Sequence, residues 1–262
     1  MGEQDGHDSQ KKPSRQRQFG KWIAGVVGMI VLAGIVAFAS GLGSKAAEHI
    51  GSEGSPISWS VEEMSVECFA GTFLPQRTAQ QMLAKPVPSD WEPIEDASGA
   101  AAAGRDAIQV AIQGASDRKV TLTGIDFHVN RSARPAGAVF YRGCGGPTMG
   151  RALEVELDSN PPKITESSAE VGGMVGSYPD GRSLSKPIRF PWTVSMTDPL
   201  LLEIIGNAKH CYCTWTAEIP WVAGSKRGVI SVDNEGDGFT VVSSGDLDAY
   251  GVGPDGDWAS SG

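Results

Sequence analysis

The stretch that decides the fold is His210–Val222, which reads HCYCTWTAEIPWV. Its odd-numbered positions are apolar or cysteine, and its even-numbered positions are mostly polar. The first set is Cys211, Cys213, Trp215, Ala217, Ile219 and Trp221, and the second begins with His210, Tyr212, Thr214, Thr216 and Glu218. Because successive side chains of a strand point to opposite faces, the pattern predicts a long antiparallel strand with both cysteines directed into the core.

Similar alternation recurs along the chain at the spacing of many short strands. The segments are Ile108–Ile112, Lys119–Val129 with a bulge at Gly124, Leu153–Leu157, Phe190–Met196, Arg227–Val232 and Phe239–Ser243. Leu200–Ile205 is almost continuously apolar, which fits a strand buried on both faces or a short buried helix. One helix is predicted at Thr78–Ala84. With 34 Gly and 16 Pro, these patterns favour a mainly β fold, an antiparallel β-sandwich, with a barrel as the alternative.

A membrane-spanning helix is predicted near the N-terminus. No charged residue occurs from Trp22 to Ser44, and at ~1.5 Å per residue a helix of this length reaches about 34 Å, enough for a hydrocarbon core of ~30 Å. Residues 1–21 carry five Lys or Arg and three acidic residues, a net charge of +2. By the positive-inside rule the N-terminus is cytoplasmic and the C-terminal bulk is extracellular.

A cleaved signal peptide is the alternative for this region, since Ala37-Phe38-Ala39 resembles a cleavage site. The apolar run exceeds the usual ~7–15 residues of a signal-peptide core, which favours the membrane anchor. Gly20, Ala24 and Gly28 share one helix face, as do Ala33, Ala37 and Gly41. Such small-residue faces can pack two helices in a membrane, although Gly and Ala are also simply common in membrane spans.

The chain therefore divides into five predicted segments. They are a basic cytoplasmic tail (1–21), a transmembrane helix in contact with lipid (22–42), a Gly- and Ser-rich flexible stalk (43–57), an extracellular β-domain (58–245) and a loose C-terminal tail (246–262). The chain has a net charge of −9, and because the tail contributes +2, the residues after it carry −11. An acidic domain without a basic patch is a poor ligand for phosphate backbones, so nucleic-acid binding is not expected.

Four cysteines, Cys68, Cys144, Cys211 and Cys213, fall on the predicted outer side, where disulfides persist. In an extended strand the Cα atoms of residues 211 and 213 would lie about 6.6 Å apart, close to the upper limit for a disulfide. We therefore expect Cys68 and Cys144 each to pair with one of them. A zinc site is the alternative, but structural zinc usually takes closely spaced cysteine pairs from loops.

The sequence offers no catalytic constellation, no cofactor motif and no clear metal site. There is no Gly-x-Ser-x-Gly elbow, and paired cysteines are poor nucleophiles. His49, His128 and His210 are expected in stalk or surface positions. The segment Asp233–Gly238 resembles the start of a calcium-binding loop, with Asp246 and Asp248 as further ligands. A hairpin turn is the better interpretation, because position 12 of the loop would be Ser244 rather than Glu.

Four aromatic residues are candidates for an exposed contact face, namely Trp91, Tyr141, Tyr212 and Trp258. An exposed aromatic cluster on a sheet would bind a glycan or a protein.

The layout resembles uncharacterised single-pass envelope proteins of high-GC actinobacteria. The resemblance rests on the tail, the span and the segments GCGG (143–146), LEVELDSNPP (153–162) and PWTVSMTDPLLLEIIGNAKHCYCTWTAEIPW (191–221). Some of these proteins carry a helix-turn-helix regulator before the span, which residues 1–21 are too short to form. The resemblance implies a cell-envelope location and this domain order, but no activity.

The sequence thus predicts a membrane-anchored, non-enzymatic binding module of the cell envelope, with an envelope protein or a glycan as its partner. A sensor component of a transmembrane signalling system is the second interpretation. An enzyme acting on envelope polymers is the third.

Overall fold

The computed structural model describes residues 46–49, 55–63, 71–142, 150–165 and 185–261. It is mainly β, as predicted, and residues 44–262 form one compact unit. The predicted tail and transmembrane span, residues 1–42, lie outside the described residues. Within the described ranges, no helix is long and apolar enough to cross a membrane.

The strands are numbered in chain order. They are β1 (Ala46–His49), β2 (Ile57–Glu63), β3 (Gly71–Pro75), β4 (Ala101–Ala103), β5 (Arg105–Gly114), β6 (Val120–Leu122), β7 (Asp126–Ser132), β8 (Gly137–Tyr141), β9 (Gly150–Glu156), β10 (Lys163–Thr165), β11 (Ser185–Pro187), β12 (Trp192–Val194), β13 (Leu200–Asn207), β14 (Tyr212–Ala223), β15 (Lys226–Val232), β16 (Phe239–Val242), β17 (Asp248–Val252) and β18 (Trp258–Ser260). Two helices, α1 (Gln76–Leu83) and α2 (Glu92–Glu95), lie between β3 and β4.

The strands form two sheets. The first has the order β1-β2-β5-β13-β9-β10, with β11 also beside β9, and the second has the order β12-β6-β14-β16-β4-β3-β8-β17-β18, with β7 and β15 also beside β14. Most neighbours are antiparallel, as predicted. Four described pairs are parallel, however: β13 with β9, β11 with β9, β16 with β4 and β17 with β8. The sheets are therefore mixed rather than purely antiparallel.

The largest hydrophobic cluster draws residues from both sheets. Ile108, Val110 and Leu202 come from the first sheet, and Trp215 and Ile219 come from the second. All five are 0–1% exposed. Burying such side chains stabilises a fold by roughly 1.5–3 kcal/mol each, so this shared cluster is the main energetic link between the sheets.

The strand predicted at His210–Val222 is β14, and the burial of its side chains follows the predicted alternation. In β14 the odd-numbered residues are buried and the even-numbered ones are half-buried or exposed. The strand begins at Tyr212 rather than at His210, so Cys211 lies just before it. The apolar run Leu200–Ile205 is confirmed as a strand, β13, which pairs with β5 and β9. It is buried on both faces, since the consecutive residues 202–205 are all buried.

The phase change near Gly124 takes a different form from the predicted bulge. The chain leaves β6 after Leu122 and enters β7 at Asp126, and Thr123 N–H donates to the carbonyl of Pro220 (2.8 Å). Both strands pair with β14 along the same side. β6 and β7 therefore follow the same edge of β14 with a short break between them. This break takes the place of the single extra residue that a bulge would add.

The predicted loose tail of residues 246–262 instead contains two strands. β17 pairs in parallel with β8, and β18 pairs with β17. The reason is aromatic packing: the Trp258 and Tyr250 rings lie 5.0 and 5.8 Å from the ring of Phe140. The predicted flexible stalk is also partly wrong, because residues 46–49 form β1 against β2 and Ile57 is buried.

The predicted helix is confirmed with a slightly earlier start. α1 follows Pro75, and its buried residues Ala79 and Met82 lie three apart on one face, the spacing of an amphipathic helix. α2 lies in the Pro-containing stretch after α1, and its Ile94 is 0% exposed. Both helices pack on β3 or β8, where they cover a second hydrophobic cluster.

Candidate functional site

The two sheets are joined at a corner where the chain crosses twice from one sheet to the other. The first crossing, from β4 to β5, passes through Gly104 at φ +80°, a conformation that favours glycine. The second crossing, from β13 to β14, uses residues 208–211. The Ala208 N–H donates to the carbonyl of Gly104 (2.8 Å), and the Gly104 N–H donates to the carbonyl of Val242 (2.6 Å). We call this region the sheet corner.

A disulfide joins Cys211 to Cys213 at this corner. The expected pairing of these residues with Cys68 and Cys144 is therefore wrong for Cys211 and Cys213, while Cys68 and Cys144 lie outside the described residues. Since Cys211 precedes the strand, the backbone is not extended there, and the two Cα atoms come within 5.3 Å of each other. The sulfur atoms are directed inward as predicted, with Cys211 6% and Cys213 0% exposed.

The turn before the disulfide is held by Asp158. Its carboxylate oxygens accept hydrogen bonds from the backbone N–H groups of Lys209 (2.6 Å) and His210 (2.9 Å). Arg131 of β7 donates from Nε to the carbonyl of Leu157 (2.6 Å), which fixes the segment that carries Asp158. Hydrogen bonds to charged groups stabilise a fold by about 1.5–3 kcal/mol each. The hydrogen bonds to Asp158 therefore hold the turn at the corner in one conformation.

Beneath this turn lies a buried carboxyl group. Asp106 of β5 is 1% exposed, and neither of its carboxyl oxygens has a hydrogen-bond partner among the described residues. Its neighbours along the same face of β5 are Ile108 and Val110, so the side chain is directed between the two sheets. Buried polar groups are nearly always hydrogen-bonded, which makes Asp106 the least expected residue in the core.

Trp215 brings a second unpartnered polar atom to the same place from the opposite sheet. Its indole nitrogen is buried without a hydrogen-bond partner in the described structure. A Cβ added to Gly206, the β13 residue opposite Asp106, would lie 3.1 Å from this nitrogen. The glycine therefore leaves the space that the indole uses, and any larger residue would push Trp215 away.

Glu63 is the third member of the cluster. It ends β2 opposite Ile108, on the same face as Asp106. Burial raises the pKa of Glu63 above its usual range. Burial also raises the pKa of Asp106 well above its usual range, and the negative charge of Glu63 raises it further. The Ala107 backbone N–H and the Trp215 indole N–H lie close enough to lower the pKa of Asp106, although neither reaches the distance and angle of a full hydrogen bond, and burial outweighs both.

The chemistry available at this cluster is proton binding. A carboxyl in a low-dielectric setting without a cation is favoured in its neutral form. Within the ranges that the structure covers, no group of three or more His, Cys, Asp or Glu side chains could hold a metal ion. The site consists of two carboxyl groups and an indole. None of these three residues carries a hydroxyl or thiol group that could act as a nucleophile.

The four candidate contact aromatics do not form an exposed face. Trp91 is 3% exposed, and its ring lies 6.0 Å from that of Trp258 inside the second hydrophobic cluster. Tyr212 packs against a third small cluster of buried residues. Only Tyr141, at 38%, is counted among the exposed large side chains. The four candidates therefore form no shared contact face, because most of these rings pack inside the domain.

The segment Asp233–Gly238 contains a tight turn. Asn234 and Asp237 exchange backbone hydrogen bonds of 2.8 and 2.9 Å, and Glu235 and Gly236 both have positive φ. The Asp233 side chain accepts a hydrogen bond from the Gly236 N–H (2.8 Å), so it is used within the turn. The turn links β15 to β16, but both of these strands pair with β14 rather than with each other. The predicted hairpin is therefore wrong, although the turn itself is present.

Asp246 and Asp248, the other predicted calcium ligands, line an open groove with Gln76 and Arg134. Arg134 donates to the carbonyls of Ser243 (3.2 Å) and Gly245, so its guanidinium ties the loop before β17. A fixed cation beside two carboxylates disfavours a second cation there. The groove is therefore a loop anchor rather than a calcium site.

The histidines outside the N-terminal region lie on the surface as predicted. His128 and His210 are exposed. His128 Nε2 lies 3.8 Å from a carboxylate oxygen of Glu218, with both side chains at least half exposed. An ion pair in that setting contributes little. For His49 the structure gives only its place in β1.

Sequence reasoning missed Asp106, although a signal was present. The alternation of Ile108, Val110 and Ile112 extends back by one step to position 106. That step places a carboxyl on the core face, where a charged residue is rare. The alternation predicts an apolar residue at position 106, and the carboxyl found there instead marks the site.

Comparisons with known proteins give no match: no family model, no curated protein and no solved structure is similar to this chain.

Proposed function

We propose that the chain is a membrane-anchored interaction module of the cell envelope, with its β-domain outside the cell. The observation that carries the proposal is the uncharged run Trp22–Ser44, which follows a basic tail and precedes a disulfide-bearing domain. Lipid is the favoured solvent for such a run, and a persistent disulfide is typical of an oxidising compartment. The two sheets around the shared core would then be the β-sandwich ectodomain.

The role we propose is non-enzymatic binding of an envelope protein or a glycan. The outer face of β14 and its neighbours offers hydroxyl and amide groups in rows. Thr214 and Thr240 lie side by side, with their hydroxyl oxygens 3.5 Å apart, and Asn130 lies opposite Thr214 on β7. A flat surface of this kind can hydrogen-bond sugars or polar protein surfaces without a deep pocket. We call it the threonine face.

Topology is the first test of the proposal. Cells expressing the full chain with a C-terminal tag would be treated with a protease that does not enter cells. We expect to find the chain in the membrane fraction. We also expect the protease to remove the C-terminal tag from intact cells, because the tag would lie outside the cell. Mass spectrometry of the mature N-terminus separates an anchor from a cleaved signal peptide. Recovery of the intact chain in the cytosol would contradict the proposal.

Partner binding is the second test. The full chain would be cross-linked in intact envelopes, alongside a Thr214→Lys variant of the threonine face. Thr165, which is half-buried on β10 of the first sheet, provides a matched control as Thr165→Lys, because Thr214 is also half-buried but lies on the second sheet. We expect one set of cross-linked partners that Thr214→Lys reduces and Thr165→Lys does not. Identical recovery from both variants would rule out the threonine face as the contact surface.

A sensor function is the second candidate, and the small-residue faces of the predicted span favour it. Gly20, Ala24 and Gly28 would lie on one side of the helix, where close packing with a second span is favourable. Cross-linking of spans in native membranes, lost in Ala24→Leu, would support coupling between spans. Purely monomeric spans would leave the binding module as the proposal.

A further inference from the structure

We propose that Asp106 and Glu63 form a buried proton-binding site at the sheet corner, and that loss of its proton as the pH rises loosens the joint between the two sheets. This inference goes beyond the proposed function and does not depend on which partner the domain binds.

The geometry of β2 and β5 brings the two carboxyls together. Glu63 lies directly opposite Ile108, and Asp106 is two residues further along β5 on the same face. Diagonal neighbours in an antiparallel pair are about 7–8 Å apart at Cα and within reach of long side chains. Asp106 is buried and Glu63 is half-buried beside it, so ionisation of both carboxyls at once is unfavourable and the pair holds a proton.

No described positive charge faces Asp106 to offset its ionisation. On β5 itself, Arg105 is directed to the opposite face by the alternation of the strand. On β13 the opposing residue is Gly206, and Glu203 is directed away with the other odd-numbered residues. On β14 the facing residues are Trp215 and the disulfide-bonded Cys213, neither of which titrates. Glu63 on β2 is thus the one titratable group described on this face.

The position of the pair makes its charge state matter for the fold. Asp106 belongs to the first sheet and Trp215 to the second, and they meet where the chain crosses between sheets. A neutral carboxyl is tolerated there. An ionised one has lost its hydration and gained no cation, which is strongly unfavourable unless the group returns to water. The least costly route to water is separation of the corner.

The sign of the pH dependence follows from the raised values. An acid whose folded-state pKa exceeds its unfolded value of 3.8 binds more protons when folded. Its contribution is favourable in acid and is lost as the pH rises from the unfolded value through the folded one. The corner should therefore be tightest in mildly acidic solution and loosest in alkaline solution.

Infrared spectroscopy of the full chain in detergent micelles tests the protonation directly. We expect a C=O band of a protonated carboxyl at neutral pH that disappears in Asp106→Asn. In Glu63→Gln the band should persist but titrate at a lower pH. Asp117→Asn, an exposed acid, is the matched control and should leave the band unchanged. Absence of the band in the parent protein, or its survival in Asp106→Asn, would overturn the proposal.

Amide hydrogen exchange tests the opening. Peptides covering β5 and the start of β14 should exchange several-fold faster in mildly alkaline than in mildly acidic solution, after correction for the chemical rate. The Asp106→Asn variant, which keeps the shape but cannot ionise, should remove this difference. The peptide covering α1 serves as the internal control and should show no such change. Equal pH profiles for the parent and Asp106→Asn would overturn the loosening.

Discussion

The sheet corner and the second hydrophobic cluster each hold parts of the domain together, but they do so with different kinds of contact. We call the latter the aromatic cluster, defined by Trp91, Phe140, Tyr250 and Trp258. The corner combines a disulfide, a turn capped by Asp158 and two buried acids. The aromatic cluster is built from ring contacts of 5.0–6.0 Å and from aliphatic residues of the two helices.

The difference shows that one domain can hold a pH-dependent and a pH-independent joint. Asp106 and Glu63, whose pKa values are raised by burial, belong to the corner, whereas the aromatic cluster is built from aromatic rings and aliphatic side chains. Aromatic pairs add about 0.5–1.5 kcal/mol beyond the burial of their area, and this contribution does not vary with protonation. Solution conditions should therefore act on the corner first.

Deletion of residues 246–262 should have the largest effect on this comparison. It removes β17 and β18 and with them Tyr250 and Trp258, so Phe140 loses its cover. We expect a loss of more than about 4–5 kcal/mol, because several large side chains become exposed at once. Chemical denaturation followed by circular dichroism would measure it. Val252→Ser, at a 49% exposed position of β17, should change stability little, and a harmless deletion would show that these strands do not support the cluster.

Phe140→Ala should cost about 3–5 kcal/mol, because it empties the centre of the aromatic cluster. The cost should be the same in mildly acidic and mildly alkaline solution. Its neighbour Tyr141, on the opposite face of β8, gives a matched control as Tyr141→Ala, with a much smaller expected cost. Thermal denaturation at both pH values would measure both variants. A strongly pH-dependent cost for Phe140→Ala would break the contrast between the two joints.

Asp106→Asn should stabilise the domain by about 1–3 kcal/mol at neutral to alkaline pH, because the unfolded carboxyl is ionised there and folding must either protonate it or bury its charge without a cation. The gain should shrink as the pH falls below the unfolded value of 3.8, where the carboxyl of the parent protein is neutral in both states. Denaturation midpoints across this range would measure it. A gain that is equal at every pH would mean that ionisation is not the cause.

The double variant Cys211→Ala/Cys213→Ala should have the smallest effect, about 1–2 kcal/mol. A bridge that closes so short a loop restricts the unfolded chain much less than a long-range one. The capped turn and the buried core should keep the corner folded. Denaturation under non-reducing conditions would measure the change, with Asp158→Ala as a comparison for the turn. A loss far above this range would mean that the bridge supports packing rather than chain entropy.

The strands of the central core were predictable from the sequence, because their side chains alternate. In β14 the parity of the cysteines, Trp215 and Ile219 matches the observed burial at each position. The continuous apolar run of β13 likewise indicated a strand covered on both sides. Binary patterning therefore sufficed wherever one face of a strand meets the core.

The last two strands were not predictable in the same way. The segment DAYGVGPDGDWASSG (248–262) is rich in Gly and Asp and shows no clear alternation. Its place is determined by contacts with Phe140 and Trp91, which are more than a hundred residues away in the chain. Long-range packing of two aromatic rings leaves no local signal.

The candidate site was predictable only in part. The inward direction of the cysteines followed from parity, but their pairing did not, because Cys211 lies outside the strand to which the pattern assigned it. Asp106 and Glu63 are separated by more than forty residues, and only the register of β2 against β5 brings them together. A single sequence does not contain that register.

The parallel pairing of β17 with β8 sets an order of assembly. β8 cannot acquire this neighbour until more than a hundred further residues have been synthesised, and Trp258 reaches Phe140 later still. The aromatic cluster therefore forms only after the strands of the shared core have all been made. If the chain is exported as proposed, it would cross the bilayer before this cluster has formed.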